Sequence, residues 1–224
     1  MILANVRGRL RDADLRLVVL ALAGHRGGGE RSAARYRARA LAEGPDALLD
    51  EPGLLEALLA LRSLMLPSPA LFAYVAVRHA LRRAGVEDRE LADYLAALLL
   101  EFGDHERHAR IGKYDDQSYR YLVDLVTDLA EQDGGGERAF LLRVHLGNYA
   151  LWLAGLFPAR VAEQLSYYEQ LGSRGYSLAA DHALARRFGV EGIYRTAADR
   201  FPALRAAFNR LSDEVFFPAL RRPN

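Results

Sequence analysis

The sequence predicts an all-α protein, a bundle of about nine or ten helices around a buried central helix at roughly 138–157. Three observations predict it. Apolar residues recur at helical spacing in every long segment, and strand alternation is nowhere sustained. Glycine, proline and short polar clusters cut the chain into helix-length pieces. One piece, Arg138 to Val161 (RAFLLRVHLGNYALWLAGLFPARV), is apolar nearly all round and holds the only tryptophan, so it belongs in the middle of a bundle.

Taken in order, Asp12 to Ala23 reads as an amphipathic first helix, ended by Gly24 and the loop to Gly29. Glu30 to Glu43 is a charged second helix stopped by Gly44-Pro45, and Pro52 opens a third through Leu54 to Leu66. Ser68-Pro69 supplies an N-cap and a first-turn proline for a helix to Arg83, with Gly85 closing it. Asp88 caps the next, Arg89 to Phe102, which Gly103 ends. Asp104 to Tyr114 is charged and irregular. Asp115 or Asp116 then starts a helix to Glu131, closed by the glycines at 134–136. After the central helix comes one from Ala159 through Tyr168, which Gly172 and Gly175 are expected to interrupt before Tyr176 to Phe188. Ile193 to Arg200 is a short helix, and Pro202 opens the last, ending near Pro218. The pattern suits one all-helical domain, with any subdivision falling near 103–115.

Composition bounds the function classes. With 224 residues the chain can bury a sizeable core. A mean hydropathy of −0.08 and a net charge of +1 describe an ordinary soluble protein with no global field for nucleic acid. The single lysine, Lys113, among many arginines, with abundant alanine and leucine, points to GC-rich coding and a bacterial source. The absence of cysteine excludes disulfides, thiolate metal sites and cysteine nucleophiles. Arg7, Arg9 and Arg11 before Leu17 to Ala23 resemble a secretion signal, but that apolar run is minimal and Asp12 and Asp14 interrupt its approach. A cytoplasmic location is therefore expected. The longest uncharged run, Val144 to Ala159, is shorter than a membrane span requires.

Four constellations carry candidate chemistry. On the central helix, Leu141, His145, Asn148 and Trp152 share one stripe, while Gly147, Ala150 and Ala154 lie opposite, near Arg143. Buried polar groups need partners. His145 and Asn148 therefore either bridge to a neighbouring helix, through a tyrosine hydroxyl for instance, or converge on a ligand. In the second case Tyr167, Tyr168 and His182 of the following helices complete the pocket with Trp152. The second constellation is Glu101, Asp104, His105 and His108, at spacings that would share a face if the helix ran through Gly103. These residues could hold a metal, but no Glu-x-x-His pair or His-Glu-x-x-His motif accompanies them, and a solvated loop is the competing reading.

Third, Arg78-His79 sits on a helix followed by a glycine turn and a second helix, as in DNA-reading pairs. That second helix offers Glu90 and Asp93 where a recognition helix needs Arg, Asn or Gln, so no nucleic acid partner is expected. Fourth, Tyr114, Tyr119, Arg120 and Tyr121 place residue types favoured at interfaces around a helix start, and a core position is the competing reading, since Leu122, Leu125 and Val126 continue the same helix. No nucleophile–base pair stands at a productive spacing, and the triple glycines lack the Gly-Lys-Ser/Thr ending of a phosphate loop. An enzyme is thus not favoured. The leading expectation is a protein that acts by binding another protein or a second copy of itself. The alternative is a helical bundle holding a ligand or an organic or metal cofactor, or an oxidase-like enzyme, with its pocket beside the central helix. The sequence specifies no particular cofactor.

Overall fold

The computed structural model describes residues 2–25, 27–61, 66–104, 107–111, 118–119, 121–132 and 135–218. The protein is an all-α multi-helix bundle, with nine helices of seven residues or more and no strand among the described residues. The first four helices, α1 (Asp12–His25), α2 (Gly29–Glu43), α3 (Asp46–Leu49) and α4 (Leu54–Leu59), pack mainly on one another through α1, and α4 leans on α5 (Pro69–Arg83). Ser68 and Asp88 cap as their side chains require. The Ser68 hydroxyl accepts the Leu71 N–H at 3.1 Å, and the Asp88 carboxylate accepts the Leu91 N–H at 2.9 Å, opening α5 and α6 (Arg89–Phe102).

The central helix α8 (Glu137–Leu156) follows α7 (Leu122–Glu131), and its residues from Val144 to Trp152 are buried without a break. A one-turn α9 (Pro158–Val161) then redirects the chain into α10 (Leu165–Ala180), α11 (Ala183–Arg187), α12 (Glu191–Asp199) and α13 (Phe201–Leu211). Helices α6, α7, α10 and α13 surround α8, which explains why it has no polar face. No single described helix is long and apolar enough to cross a membrane. Only α8 taken together with Pro158–Ala180 approaches that composition, and the two are bent by 112°.

Three expected boundaries differ. The helix opened at Pro52 stops at Leu59 rather than Leu66. The helix expected from Asp115 or Asp116 begins, among the described residues, at Leu122. There Tyr121 is extended and its N–H is held by the Asp124 carboxylate at 3.2 Å, a cap that sets the first turn. Gly172 and Gly175 do not interrupt α10. They lie inside it, where a Cβ on Gly175 would come within 2.9 Å of the Arg143 carbonyl and of the Gly147 backbone nitrogen. Gly147 returns the contact, since a Cβ there would lie 2.7 Å from the Tyr176 ring. The helix-propensity cost of these glycines is offset by the backbone-to-backbone approach they permit.

A polar clasp ties α3 and the residues after it to α5 and α6. Asp50 accepts from Arg78 at 2.7 and 3.1 Å and from Arg89 at 2.6 and 3.1 Å, while Glu87 takes Arg78 at 2.9 Å. Burial pushes the Asp50 carboxyl up, but the two guanidinium groups outweigh it and hold it down at about 2. His79 Nε2 meets the Leu49 carbonyl at 3.0 Å. Arg78 and His79 are both buried, so neither is available to read a groove.

Candidate functional site

The candidate site lies at the C-terminal end of α8. The Leu153 carbonyl accepts the Phe157 N–H at 3.0 Å, and the last three carbonyls, which lack an intrahelical partner, are met by α13 and the residue that follows it. Asn209 Nδ2 donates to the Ala154 carbonyl at 2.8 Å and the Gly155 carbonyl at 2.6 Å, and the Ser212 hydroxyl donates to the Leu156 carbonyl at 2.8 Å. Gly155 permits the approach, because a Cβ there would lie 2.6 Å from Phe208 Cβ. These bonds fix where the chain leaves α13 through the wide π-turn Ser212–Phe216, and so place Phe216 and Phe217 beside Trp152, Leu156 and Phe157.

A cavity of about 430 Å³ opens there. Leu99, Leu100 and Gly103 from the end of α6 form one side, Pro69, Phe72 and Ala73 from the start of α5 another, and Trp152, Leu156 and Phe157 at the end of α8, with Phe216 and Phe217 after α13, complete it. The wall is apolar almost throughout. Rings stack edge-on around it, with Phe102 on Trp152 at 5.7 Å, Trp152 on Phe157 at 5.8 Å and Phe72 on Phe216 at 6.5 Å. Interiors are normally packed with few voids larger than a water molecule. A partly open hollow of this size lies within the roughly 300–1,000 Å³ range of small-molecule sites.

The ligand-pocket residues read from the sequence separate into different places. Trp152 lines the cavity. His145 and Asn148 do not; they border a small cleft of about 10 Å³ with Ile2, Arg107 and Leu141, space for about one water. Asn148 Oδ1 accepts the hydroxyls of Tyr94 and Tyr176, each at 2.7 Å, so the tyrosine bridge is present and the amide joins three helices. The His145 ring stacks on Tyr149 at 6.0 Å, hydrogen-bonds the His108 backbone, and leaves Nε2 buried without a partner. Burial, with Arg107 and His108 nearby as lesser influences, pushes its pKa down to about 3. Tyr167 is exposed and meets Tyr168 edge-on at 6.1 Å. His182 caps α11, accepting the Leu184 N–H at 3.2 Å, and packs on Phe140 at 5.2 Å. None of these three lines the cavity.

Among the described residues the carboxylate–histidine cluster does not converge. Glu101 pairs with Arg107 at 3.1 Å and Asp104 faces solvent, while His108 stacks on Tyr149 and Trp152 at 6.3 and 6.4 Å. His105 lies outside the described residues, among which no three His, Asp or Glu side chains form a metal-binding group. Gly103 ends α6, as its position predicts, so the helix does not carry these side chains on as one continuous face. Tyr119, expected at an interface, is a core residue. Its N–H donates to the Ala109 carbonyl at 2.7 Å, its hydroxyl bonds the Asp128 carboxylate, and Arg138 closes the group from 2.8 and 2.9 Å. Tyr121 is exposed, and Tyr114 and Arg120 lie outside the described residues.

Sequence reasoning missed Phe72, Phe157, Phe216 and Phe217. Phe157-Pro158 and Phe217-Pro218 carried a signal: an aromatic residue before a helix-ending proline is left at the end of the bundle. The signal is not specific, since Phe201-Pro202 repeats it in the core. Compared with family models, curated proteins and solved structures, the chain matches none.

Proposed function

We propose that the protein binds an apolar small molecule in the aromatic cavity at the end of α8. The observation that carries this reading is the cavity itself, about 430 Å³ of space walled by Trp152, Phe72, Phe157, Phe216 and Phe217 and partly open to solvent. An unfilled apolar hollow of that size costs dispersion contacts and exposes aromatic surface to water, and an apolar ligand restores both. Trp152 is the only tryptophan, so intrinsic fluorescence reports the site directly. Titration with the neutral fluorophore N-phenyl-1-naphthylamine is expected to quench Trp152 saturably, at one equivalent, with Kd on the order of 10 μM. Ala73→Leu, which fills the cavity from α5, is expected to abolish the response while the protein stays folded. An unchanged titration in that variant would place the fluorophore elsewhere and end this reading.

A second reading, self-association, has its own observation. Between α1 and α2 a hollow of about 450 Å³ is bordered by Val19, Leu20, Ala40 and Leu41, and Leu41 is 89% exposed. An exposed apolar surface of this kind is a common basis of homodimers. Sedimentation velocity is expected to show a concentration-dependent dimer that Leu41→Glu converts to monomer. A monomer at every concentration in the unaltered protein would remove this reading and leave the first untouched.

A further inference from the structure

The aromatic cavity adjoins a second one of different character. About 740 Å³ in volume, it shares Pro69 and Leu100 with the first and is bordered beyond them by Arg9, Arg11, Asp14, Ser68 and Asp104. Arg9 and Arg11 are exposed, and neither side chain makes an ion pair among the described residues, where most other arginines of the N-terminal half are paired. The N-terminus of α5, at Ser68, Pro69 and Ala70, faces the same space and adds the positive end of a 15-residue helix. Two acids share the lining: Asp14 is buried, its carboxylate accepting the Arg11 N–H at 2.9 Å, and Asp104 is exposed, as the two arginines are.

We infer that the ligand is an anionic amphiphile of the free fatty-acid class, its alkyl chain in the aromatic cavity and its carboxylate on Arg9 and Arg11. The inference rests on the cavity reading above and adds the head group. The two spaces lie side by side across Pro69 and Leu100, so one molecule with an apolar chain and an anionic end occupies both. The guanidinium groups supply charge-assisted hydrogen bonds to a carboxylate, and the desolvated chain supplies the bulk of the affinity.

The test compares decanoate with decanol, read by Trp152 fluorescence. Decanoate is expected to bind the unaltered protein at least tenfold more tightly than the double variant Arg9→Ala/Arg11→Ala, the loss of one to two charge-assisted bonds. Decanol is expected to bind both proteins alike. Arg174→Ala/Arg187→Ala removes the same net charge from exposed positions outside both cavities and is expected to leave decanoate binding unchanged. Equal decanoate affinity in all three proteins, with decanol binding intact, overturns the head-group assignment and keeps the cavity reading. Failure of both probes to bind overturns the two together. A loss of decanoate binding in the Arg174/Arg187 control equal to that in the Arg9/Arg11 variant would reduce the effect to net charge and also overturn the assignment.

Discussion

Gly175→Leu is expected to lower the melting temperature by about 4–12 °C, although leucine is a far better helix former than glycine. The reason lies across the interface. A Cβ at this position would come within 2.9 Å of two backbone atoms of α8, the Arg143 carbonyl oxygen and the Gly147 nitrogen, and within 3.3 Å of Leu146 Cβ. Backbone cannot rotate away as a side-chain tip can, so α8 and α10 must separate along a seam that Gly147, Ala150 and Gly172 also form. Overpacking of this kind costs about 3 kcal/mol at the upper end of the usual range, against a propensity gain of under about 1 kcal/mol. At this chain length each kcal/mol moves the midpoint by about 2–4 °C. Gly192, in α12, is the control. Nothing lies within 4 Å of a Cβ there, so Gly192→Ala is expected to raise the midpoint slightly. Calorimetry of the two variants decides it. A Gly175→Leu protein as stable as the parent would mean that the α8–α10 approach is looser than described.

Lowering the pH from about 6.5 toward 3 is expected to destabilise the protein steeply, with His145 as a principal cause. In the folded protein burial holds this imidazole neutral down to about pH 3, whereas in the unfolded chain it protonates near its ordinary pKa of 6.5. Between those values the unfolded state binds the extra proton, so stability is complete above about pH 6.5 and declines as the pH falls. One such group contributes a slope approaching about 1.4 kcal/mol per pH unit. Buried His79, also held below its ordinary value, adds to the decline with the same sign. Paired Asp50 adds its own share only below about pH 4, where its depressed carboxyl begins to protonate in the unfolded chain. Urea unfolding at pH 7, 5.5 and 4.5 follows the histidine contributions above the range in which Asp50 acts. His145→Gln removes one titration and leaves His79 and Asp50 in place, so the variant is expected to lose less stability on acidification than the parent. Parallel losses would show that His145 is hydrated in the folded state.

Much of the bundle was legible from local chemistry. Ser68-Pro69 and Asp88 announced helix starts because a capping side chain acts within three residues of itself, and both bonds are present. The central helix was legible because its residues are apolar on every side, which is tolerable only when other helices cover all of them. The glycines of α10 were misread for the opposite reason. A helix-breaking tendency is local, but the backbone contact that overrides it comes from a residue about thirty positions earlier in the chain.

The candidate site was far less legible. Asn148 was placed on a stripe that needed a hydroxyl partner, yet the choice between a bridge and a ligand pocket depends on whether space remains beside it, and almost none does. Space is a property of three or more elements at once. The cavity takes its wall from α5, α6, α8 and the turn after α13, and no one segment signals it. Tyr119 shows the same limit, for an aromatic residue in a polar stretch reads equally as interface or core until Asp128 and Arg138 are seen to meet its hydroxyl. By itself the sequence determined the helical class, the caps and the buried helix at the centre, since periodicity, capping and hydrophobicity act over one or two turns. The tertiary structure alone decided which polar residues are sealed into the core, which glycines join helices rather than end them, and where the packing leaves room, because each depends on side chains brought together from distant parts of the chain.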